Sequence, residues 1–395
     1  MVVRPVMAGM AVATFCACAT NIDLTFRKTT LQIGLPQSGG VGPARGNQRS
    51  VDTLRTYGML GCRHADSCVR DIGVRVLALT PKQGFARYPG TPVPHLTQFG
   101  KPTREEVLEA RRVLGLAEDD KLHVLVGSRS ARRNFSACHC HVMSSPDWLP
   151  DHSLVRVTRD VWVESPELLF LDASRSMGQI ELIRLGMELC SRYCVDRDEL
   201  LVSMNSEPPT SKSKLTEYLG TIDTSYGIDK ARTAVGKLMD GSASPWETAV
   251  ALMLSLPTRM GGFELPKPKL NKSHPLSAVG KRLVGVSSLR PDMLWEKEGV
   301  AIEYDSDVFH TSTESLRRDS ARRKALEASG LNVLTLRSRD FGDFKTLFDN
   351  VCVLRQRLGM RNRRSNPKVQ TRRLRLFLDL REAQDWEKAF SRSRD

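Results

Sequence analysis

Apolar residues recur at helical spacing in some parts of the chain and alternate with polar residues in others. Residues 103–114 repeat apolar positions at helical spacing, with acids early and arginines late, and predict a helix. Strand-like stretches follow at 122–126, 135–143, 154–158 and 161–163. Ser165-Pro166-Glu167 then combines a capping serine, a proline and an early acid, which predicts the start of another helix.

These patterns predict an α/β chain in five segments. Residues 1–100 contain many Gly and Pro breakers and predict an irregular, poorly ordered N-terminal region of unknown role. An α+β middle domain is expected over 101–204, and a polar linker with a basic helix over 205–241. A second α/β domain covers 242–354, and 355–395 is expected to be a basic tail.

Charge favours a polyanionic partner. Lys and Arg number 59 against 45 Asp and Glu, a formal net charge of +14, which is typical of DNA-binding proteins but also of other basic protein classes.

Nine scattered cysteines favour a location in the reducing cytoplasm, whereas the apolar run at 6–19 after Arg4 has the shape of a short secretion signal. Since no apolar run reaches the about eighteen residues of a membrane span, no membrane partner is expected.

The candidate chemistry lies in a hairpin over residues 289–305. Residues 289–295 and 299–305 predict two strands around the turn 296–299. With a four-residue loop, Trp295 faces Val300 and Asp292 faces Glu303. Because side chains alternate along a strand, Asp305 lies on the same face as Glu303.

Two opposed carboxylates destabilise a strand pair unless something offsets their repulsion. Mg²⁺ (or Mn²⁺) prefers such hard oxygen ligands and is commonly held by one or two carboxylates. It could polarise a phosphodiester and generate hydroxide for attack. The alternative is an exposed hairpin whose acids are simply solvated.

A basic helix is expected after the hairpin. Residues 314–329 predict that helix, which ends at Gly330, and 332–336 predict a strand. A strand, helix and strand in succession favour a right-handed crossover with the last strand parallel to 300–305. Asp319 and Arg322, three residues apart, predict a surface ion pair. The candidate residues for binding DNA phosphates are Arg317, Arg318, Arg322, Arg323 and Lys324.

The motif residues of this unit resemble the small bacterial domain related to very-short-patch-repair endonucleases. They are Arg290-Pro291-Asp292, Glu303-Tyr304-Asp305, His310, Asp319, Arg322, Leu326, Gly330 and Val333-Leu334. The resemblance covers residues 244–339 and implies a PD-(D/E)XK, restriction-endonuclease-like fold, in which a mixed sheet is flanked by helices. It also implies Mg²⁺-dependent action on DNA, with Asp292 and Glu303 as metal ligands.

The chain departs from the general pattern at two positions. Asp305 stands where the pattern has lysine, and Ser306 replaces the usual following glycine. The related repair enzymes use His and Asp instead, so Asp305 becomes an additional ligand or water-orienting group. His310 becomes a candidate general acid or base, against the alternative of an ordinary loop histidine.

Glu247 matches an acid on the first helix of such folds and could be an outer metal or water ligand. Ser244-Pro245-Trp246-Glu247 also fits a capping box, in which the glutamate bonds back to the helix start. The two roles are compatible.

Three other features of the sequence say less about function than the acidic hairpin does. Alternation in Cys138-His139-Cys140-His141 puts the cysteines on one face and the histidines on the other, so the four cannot share one zinc ion. No P-loop or dinucleotide fingerprint occurs, so no nucleotide cofactor is expected. The middle region, including the helix at 165–172, resembles the central part of abortive-infection-type antitoxins of type IV toxin systems, which implies a nucleic-acid or regulatory context.

The sequence therefore predicts a Mg²⁺-dependent DNA endonuclease or nickase, a phosphodiester hydrolase in a defence or mobile-element context. A homodimer is an open option. The alternative is a non-catalytic DNA-binding regulator of antitoxin type that retains the nuclease fold. A third class is a protein-interaction module whose basic charge is incidental.

Overall fold

The computed structural model describes residues 2–4, 101–113, 122–133, 138–142, 149–156, 161–196, 201–204, 207–305, 313–362 and 366–381. Within these ranges the chain is a mixed α/β protein with small mixed sheets. Most of 1–100, including the signal-like run at 6–19, lies outside the described residues. None of the described helices has the length and apolar character needed to cross a membrane.

The helices are α1 Arg104–Val113, α2 Pro166–Ala173, α3 Gln179–Leu189, α4 Lys212–Gly220, α5 Ile228–Val235, α6 Pro245–Ser255, α7 Ala278–Val284, α8 Thr313–Glu327, α9 Ser338–Gly342, α10 Phe344–Arg357 and α11 Pro367–Arg381. The strands are β1 Val2–Arg4, β2 Leu122–Val126, β3 Cys138–Val142, β4 Leu154–Arg156, β5 Trp162–Glu164, β6 Tyr193–Asp196, β7 Leu201–Met204, β8 Lys269–Leu270, β9 His274–Pro275, β10 Ser288–Leu289, β11 Met293–Trp295, β12 Val300–Asp305 and β13 Asn332–Arg337.

The middle sheet has the order β3-β2-β1-β5-β4. Its edge strand β3 runs parallel to β2, with Leu122 opposite Cys138 and Val124 opposite Cys140. Those four side chains are buried on one face, as the predicted alternation requires. β1 pairs with both β2 and β5, so three residues of the segment expected to be irregular form a central strand.

The predicted helix start at Ser165 is confirmed. Its hydroxyl accepts a hydrogen bond from the backbone N–H of Leu168, and Pro166 occupies the first turn of α2. Nearly every side chain of α2 is buried, so this helix forms the centre of the middle helical layer.

The stretch predicted as a linker with one helix is instead two packed helices. α4 buries Leu215 and Leu219, and α5 buries Ala231 and Ala234. The predicted basic helix corresponds to α5, whereas α4 was missed because short helices with alternating polar residues carry a weak periodic signal. Both helices contribute side chains to the core.

One hydrophobic core joins the middle helices to the C-terminal sheet. It contains Phe170 and Leu182 from α2 and α3, Trp246 from α6, Ile302 from β12 and Phe377 from α11. The predicted boundaries at 204 and 241 therefore do not separate independent cores.

The C-terminal sheet has the order β13-β12-β11-β8. β11 and β12 form the predicted antiparallel hairpin, with Trp295 opposite Val300 and Met293 opposite Ile302. β13 runs parallel to β12 after the helix α8, as predicted. The first strand of the hairpin is shorter than expected: β10 leaves at Leu289 and pairs with β9 in a separate two-stranded sheet.

Residues expected to be a basic tail instead form packed helices. The predicted boundary at 354 falls inside α10, and α11 buries Arg373, Leu376 and Phe377. A Cβ on Gly261 would lie 2.5 Å from the carbonyl oxygen of Arg372, so glycine is required where α11 crosses this turn. The basic residues of this region had suggested a phosphate-contacting arm or a solvated tail, and the apolar stripe of α11 instead packs it onto the core.

Candidate active site

Glu247 is held at the start of α6 by a capping arrangement. Its backbone N–H donates to Oγ of Ser244 over 3.1 Å, and its Oε2 accepts from the backbone N–H of Ala243 over 2.9 Å. The Ser244 hydroxyl donates to the other carboxylate oxygen over 3.2 Å. Glu247 therefore bonds back to the helix start as predicted, although its backbone partner is Ala243 rather than the N-cap residue Ser244, and its side chain is buried.

Stacked aromatic rings hold α6 against β12. Trp246 stacks on Tyr304 with ring centroids 3.4 Å apart and planes 22° apart. Each ring is the chain neighbour of an acid, Glu247 on α6 and Glu303 on β12. The stack thus brings two distant parts of the sequence to the same place.

Asp292 lies where the chain enters β11. Its Oδ2 accepts a hydrogen bond from the backbone N–H of Tyr304 over 2.6 Å, which ties the carboxylate to β12 beside Glu303. The predicted neighbourhood of Asp292 and Glu303 follows from the confirmed hairpin register.

Glu303 is paired with a cation from α8. Nε of Arg322 donates to Oε2 of Glu303 over 2.9 Å, and Nη2 donates to Oε1 over 3.2 Å. The same guanidinium also donates to the backbone carbonyl of Arg290. Glu303 is thus the main partner of Arg322, and Asp319 adds only a weaker attraction, unlike the predicted surface ion pair.

Asn271 connects two of the acids and was missed by sequence reasoning. Its side-chain amide donates to Oε2 of Glu247 over 2.5 Å, while its backbone N–H donates to the carbonyl oxygen of Asp292 over 3.1 Å. Its φ of 48° is left-handed, a conformation that asparagine tolerates better than most residues. An Asn directly after a short strand was the one available signal.

Burial and neighbouring negative charges raise the pKa values of the three carboxyl groups. Burial raises the pKa of Asp292 well above its usual range, and the negative charges of Glu247 and Glu303 raise it further. Burial also raises the pKa of Glu247, although hydrogen bonds from Ala243, Asn271 and Ser244 oppose the shift.

Arg322 limits this effect at Glu303. Burial raises the pKa of Glu303, and the hydrogen bond and charge of Arg322 act in the opposite direction. The site therefore brings three carboxyl groups together where water is largely excluded, with one guanidinium as partial compensation.

The donor set suits a hard divalent cation. Within the described ranges, no group of three or more His, Cys, Asp or Glu side chains is arranged to hold a metal ion. Mg²⁺, however, usually takes only one or two carboxylates and completes its shell with water and phosphate oxygens. Asp292 and Glu303, with Glu247 behind them, are of the right type, and a cation would offset the repulsion that Glu247 and Glu303 exert on Asp292.

A basic surface lies on the exposed side of α8. The side chains of Arg317, Arg318, Arg323 and Lys324 are exposed, in contrast to that of Arg322. α7 carries the exposed Lys281 and Arg282 and packs tightly on α8. A Cβ on Gly280 would lie 2.8 Å from the carbonyl oxygen of Ala325.

Two further candidates are only partly described. Asp305 ends β12 opposite Arg337 of β13, but its side chain lies outside the described part of the chain. His310 lies outside the described residues altogether. Their predicted roles stay predictions.

A comparison of the chain with protein-family models, with curated proteins and with solved structures gave no match.

Proposed function

We propose that the C-terminal unit is a Mg²⁺-dependent DNA endonuclease or nickase with a restriction-endonuclease-like arrangement. The observation that carries the proposal is the meeting of Glu247, Asp292 and Glu303. They come from α6, the entry to β11, and β12, and they are close enough to raise the pKa of Asp292. Shifts of this kind are typical of functional sites because fold stability alone does not require buried like charges.

Topology supports the same proposal. An antiparallel hairpin carries two of the acids, and a helix then leads to a strand parallel to the hairpin's second strand. The basic helix α8 is that connection, so phosphate-binding side chains and acids belong to one supersecondary unit.

Asp292 and Glu303 would hold the cation, and Glu247 would act as an outer ligand through water. When bound, Mg²⁺ would polarise a phosphoryl oxygen and lower the pKa of a bound water molecule. Asn271 keeps the Glu247 carboxylate oriented, and Tyr304 does so for Asp292 through its backbone N–H. Asp305 would orient the attacking water, and His310 would move a proton.

Arg322 takes part in the charge balance of the site. In the structure its guanidinium donates a hydrogen bond to each of the two carboxylate oxygens of Glu303. Cation binding at Glu303 therefore requires the guanidinium to turn away from at least one of these oxygens. The exposed cations of α8 would hold the DNA backbone.

The second candidate is a DNA-binding regulator of antitoxin type without catalysis. The bidentate contact between Arg322 and Glu303 favours it, because a carboxylate already neutralised by an arginine does not need a metal ion. Asp305 in place of lysine favours it too.

Cleavage of supercoiled plasmid by the full chain tests the proposal. We expect Mg²⁺-dependent nicking that disappears in Asp292→Asn and in Glu303→Gln. Glu296→Gln is the matched control, since Glu296 is an exposed acid on the same hairpin that pairs with Lys272. Salt-sensitive DNA binding without cleavage in Mg²⁺ or Mn²⁺ would leave the regulator instead.

A further inference from the structure

Three histidines meet on one face of the middle sheet. The ring centroids of His123 and His139 are 5.2 Å apart, those of His123 and His141 4.8 Å, and those of His139 and His141 4.7 Å. Nε2 of His141 and Nδ1 of His123 are 2.9 Å apart, so one of the two nitrogens donates to the other. His139 is exposed and the other two rings are half-buried.

The parallel register of β2 and β3 creates this cluster. His123 lies opposite His139, and His141 lies opposite Leu125, so all three imidazoles project from the same side. The second and fourth residues of Cys138-His139-Cys140-His141 thus gain a third partner from β2. Arg4 is the cross-strand neighbour of His123 on β1, so no carboxylate comes from that strand.

The cysteines of the motif do not belong to this set. Cys138 and Cys140 are buried on the opposite face, with their sulfur atoms 3.8 Å apart. Burial, together with the neighbouring Cys140, raises the pKa of Cys138 to about 12. The thiol is therefore protonated at neutral pH, whereas metal binding needs the thiolate.

We propose that His123, His139 and His141 form a binding site for a divalent first-row transition ion, with Zn²⁺ as the best-suited ion. Neutral imidazoles suit such ions, and three of them leave a fourth position for water or another ligand. Three ligating nitrogens on one tetrahedral Zn²⁺ lie roughly 3.3 Å apart, given bonds of about 2.0–2.1 Å.

The observed rings are near that arrangement without adopting it. The 2.9 Å contact between His141 and His123 has to open by roughly 0.4 Å. The rings as they stand are not arranged to hold an ion, so the exposed His139 has to rotate about its side-chain torsions before its nitrogen can bind beside the other two. The ion would fasten edge strand β3 to β2, and the site is independent of the acids at Asp292 and Glu303.

Zinc titration of the full chain, made without a histidine tag and cleared of metal by a chelator and dialysis, tests this site. Isothermal titration calorimetry in excess Mg²⁺, which occupies the proposed acidic site, should show one high-affinity Zn²⁺ per chain. The double variant His139→Gln/His141→Gln, and separately His123→Gln, should lose more than about 100-fold in affinity, because loss of an outer-shell partner alone costs roughly 10–100-fold. Circular dichroism would establish that the variants fold.

Two controls separate this site from others. His152→Asn changes an exposed turn histidine at φ 70°, where asparagine is tolerated, and should bind zinc as the parent does. Asp292→Asn removes a proposed ligand of the separate acidic site and should still bind the high-affinity Zn²⁺ that the histidine variants lose. Undiminished zinc binding in both histidine variants, or no zinc binding by the parent chain, would overturn the proposal. A thiolate-to-metal absorption band with Co²⁺ would also overturn it.

Discussion

Arg322 donates two hydrogen bonds to Glu303, over 2.9 Å and 3.2 Å, from a helix that follows the acid in sequence. This contact places one cation against three carboxyl groups, one buried and two half-buried, whose pKa values are raised. It makes the basic helix α8 part of the candidate site rather than only a surface for DNA. The stability and the chemistry of this region are therefore linked through the same few charges.

Replacing Arg322 should destabilise the metal-free fold. In Arg322→Met the Glu303 carboxylate stays mostly buried and loses a charged partner, which costs about 1–3 kcal/mol. Urea unfolding at neutral pH measures the change in the free energy of unfolding. Arg323→Met is the matched control on the same helix: Arg323 is exposed and only 3.8 Å from exposed Glu327, and its loss should change stability by less than about 0.5 kcal/mol. Equal losses in the two variants would contradict the pairing.

The metal-free chain should lose stability as pH rises. The pKa of Asp292 is raised in the folded state by burial and by the neighbouring acids, so the folded state holds its proton where the unfolded state has released it. The contribution is fully present below the unfolded pKa of about 4 and is lost as pH rises through the folded pKa.

Urea midpoints in a metal chelator between pH 4 and pH 8 test this dependence. Asp292→Asn should show a smaller decline than the parent chain, because the neutral amide has no proton to lose. Glu296→Gln, at the exposed end of the hairpin, should follow the parent. If the urea midpoint of Asp292→Asn fell with pH as much as that of the parent chain, Asp292 would not be the cause of the pH dependence.

Two substitutions should distinguish the role of Glu247 in capping α6 from its role as an outer ligand of the metal ion. In Glu247→Gln, the amide oxygen can accept from Ala243 and Asn271 while the amide nitrogen donates to Ser244, so the cap survives and the charge is lost. Stability should be unchanged or slightly higher, and Mg²⁺-dependent cleavage should fall. Glu247→Ala should reduce cleavage in the same way and, because the cap is lost too, should lower the free energy of unfolding by about 1 kcal/mol. Full activity in Glu247→Gln would restrict the residue to capping.

The exposed cations of α8 should determine the affinity for DNA without taking part in the cleavage step. Changing Arg317, Arg318, Arg323 and Lys324 to Gln should weaken binding to all duplexes alike and lower the salt slope by about 0.9 for each lost phosphate contact. Binding measured across a range of salt concentrations provides the test. A charge-matched control changes four exposed arginines of the middle unit to Gln: Arg104, Arg112, Arg129 and Arg132. If this control lowered the salt slope by the same amount, α8 would not be the specific DNA-binding surface.

Local rules predicted the hairpin and the helix caps well. The four-residue turn fixed the pairing of Met293 with Ile302, and Ser244-x-x-Glu247 fixed the capping contacts. In both cases the deciding contacts are a few residues apart, so spacing alone identifies them.

Contacts between distant segments were not predictable in the same way. Arg322 bonds to Glu303 rather than chiefly to its helical neighbour Asp319, because the crossover lays α8 over β12. His123 joins His139 and His141 only through the parallel register of β2 and β3, which the intervening residues do not encode locally. The helix α4 was missed because core packing, not a strong periodic signal, stabilises it.

The location of Mn²⁺ in crystals of the full chain tests whether Asp292 and Glu303 hold a divalent ion. We expect an anomalous scattering peak between Asp292 and Glu303, with the guanidinium of Arg322 turned away from at least one Glu303 oxygen. Asp292→Asn crystals, grown in the same Mn²⁺ concentration, should lack the peak. Unchanged Arg322–Glu303 hydrogen bonds and no peak at a Mn²⁺ concentration that supports plasmid cleavage would contradict this expectation.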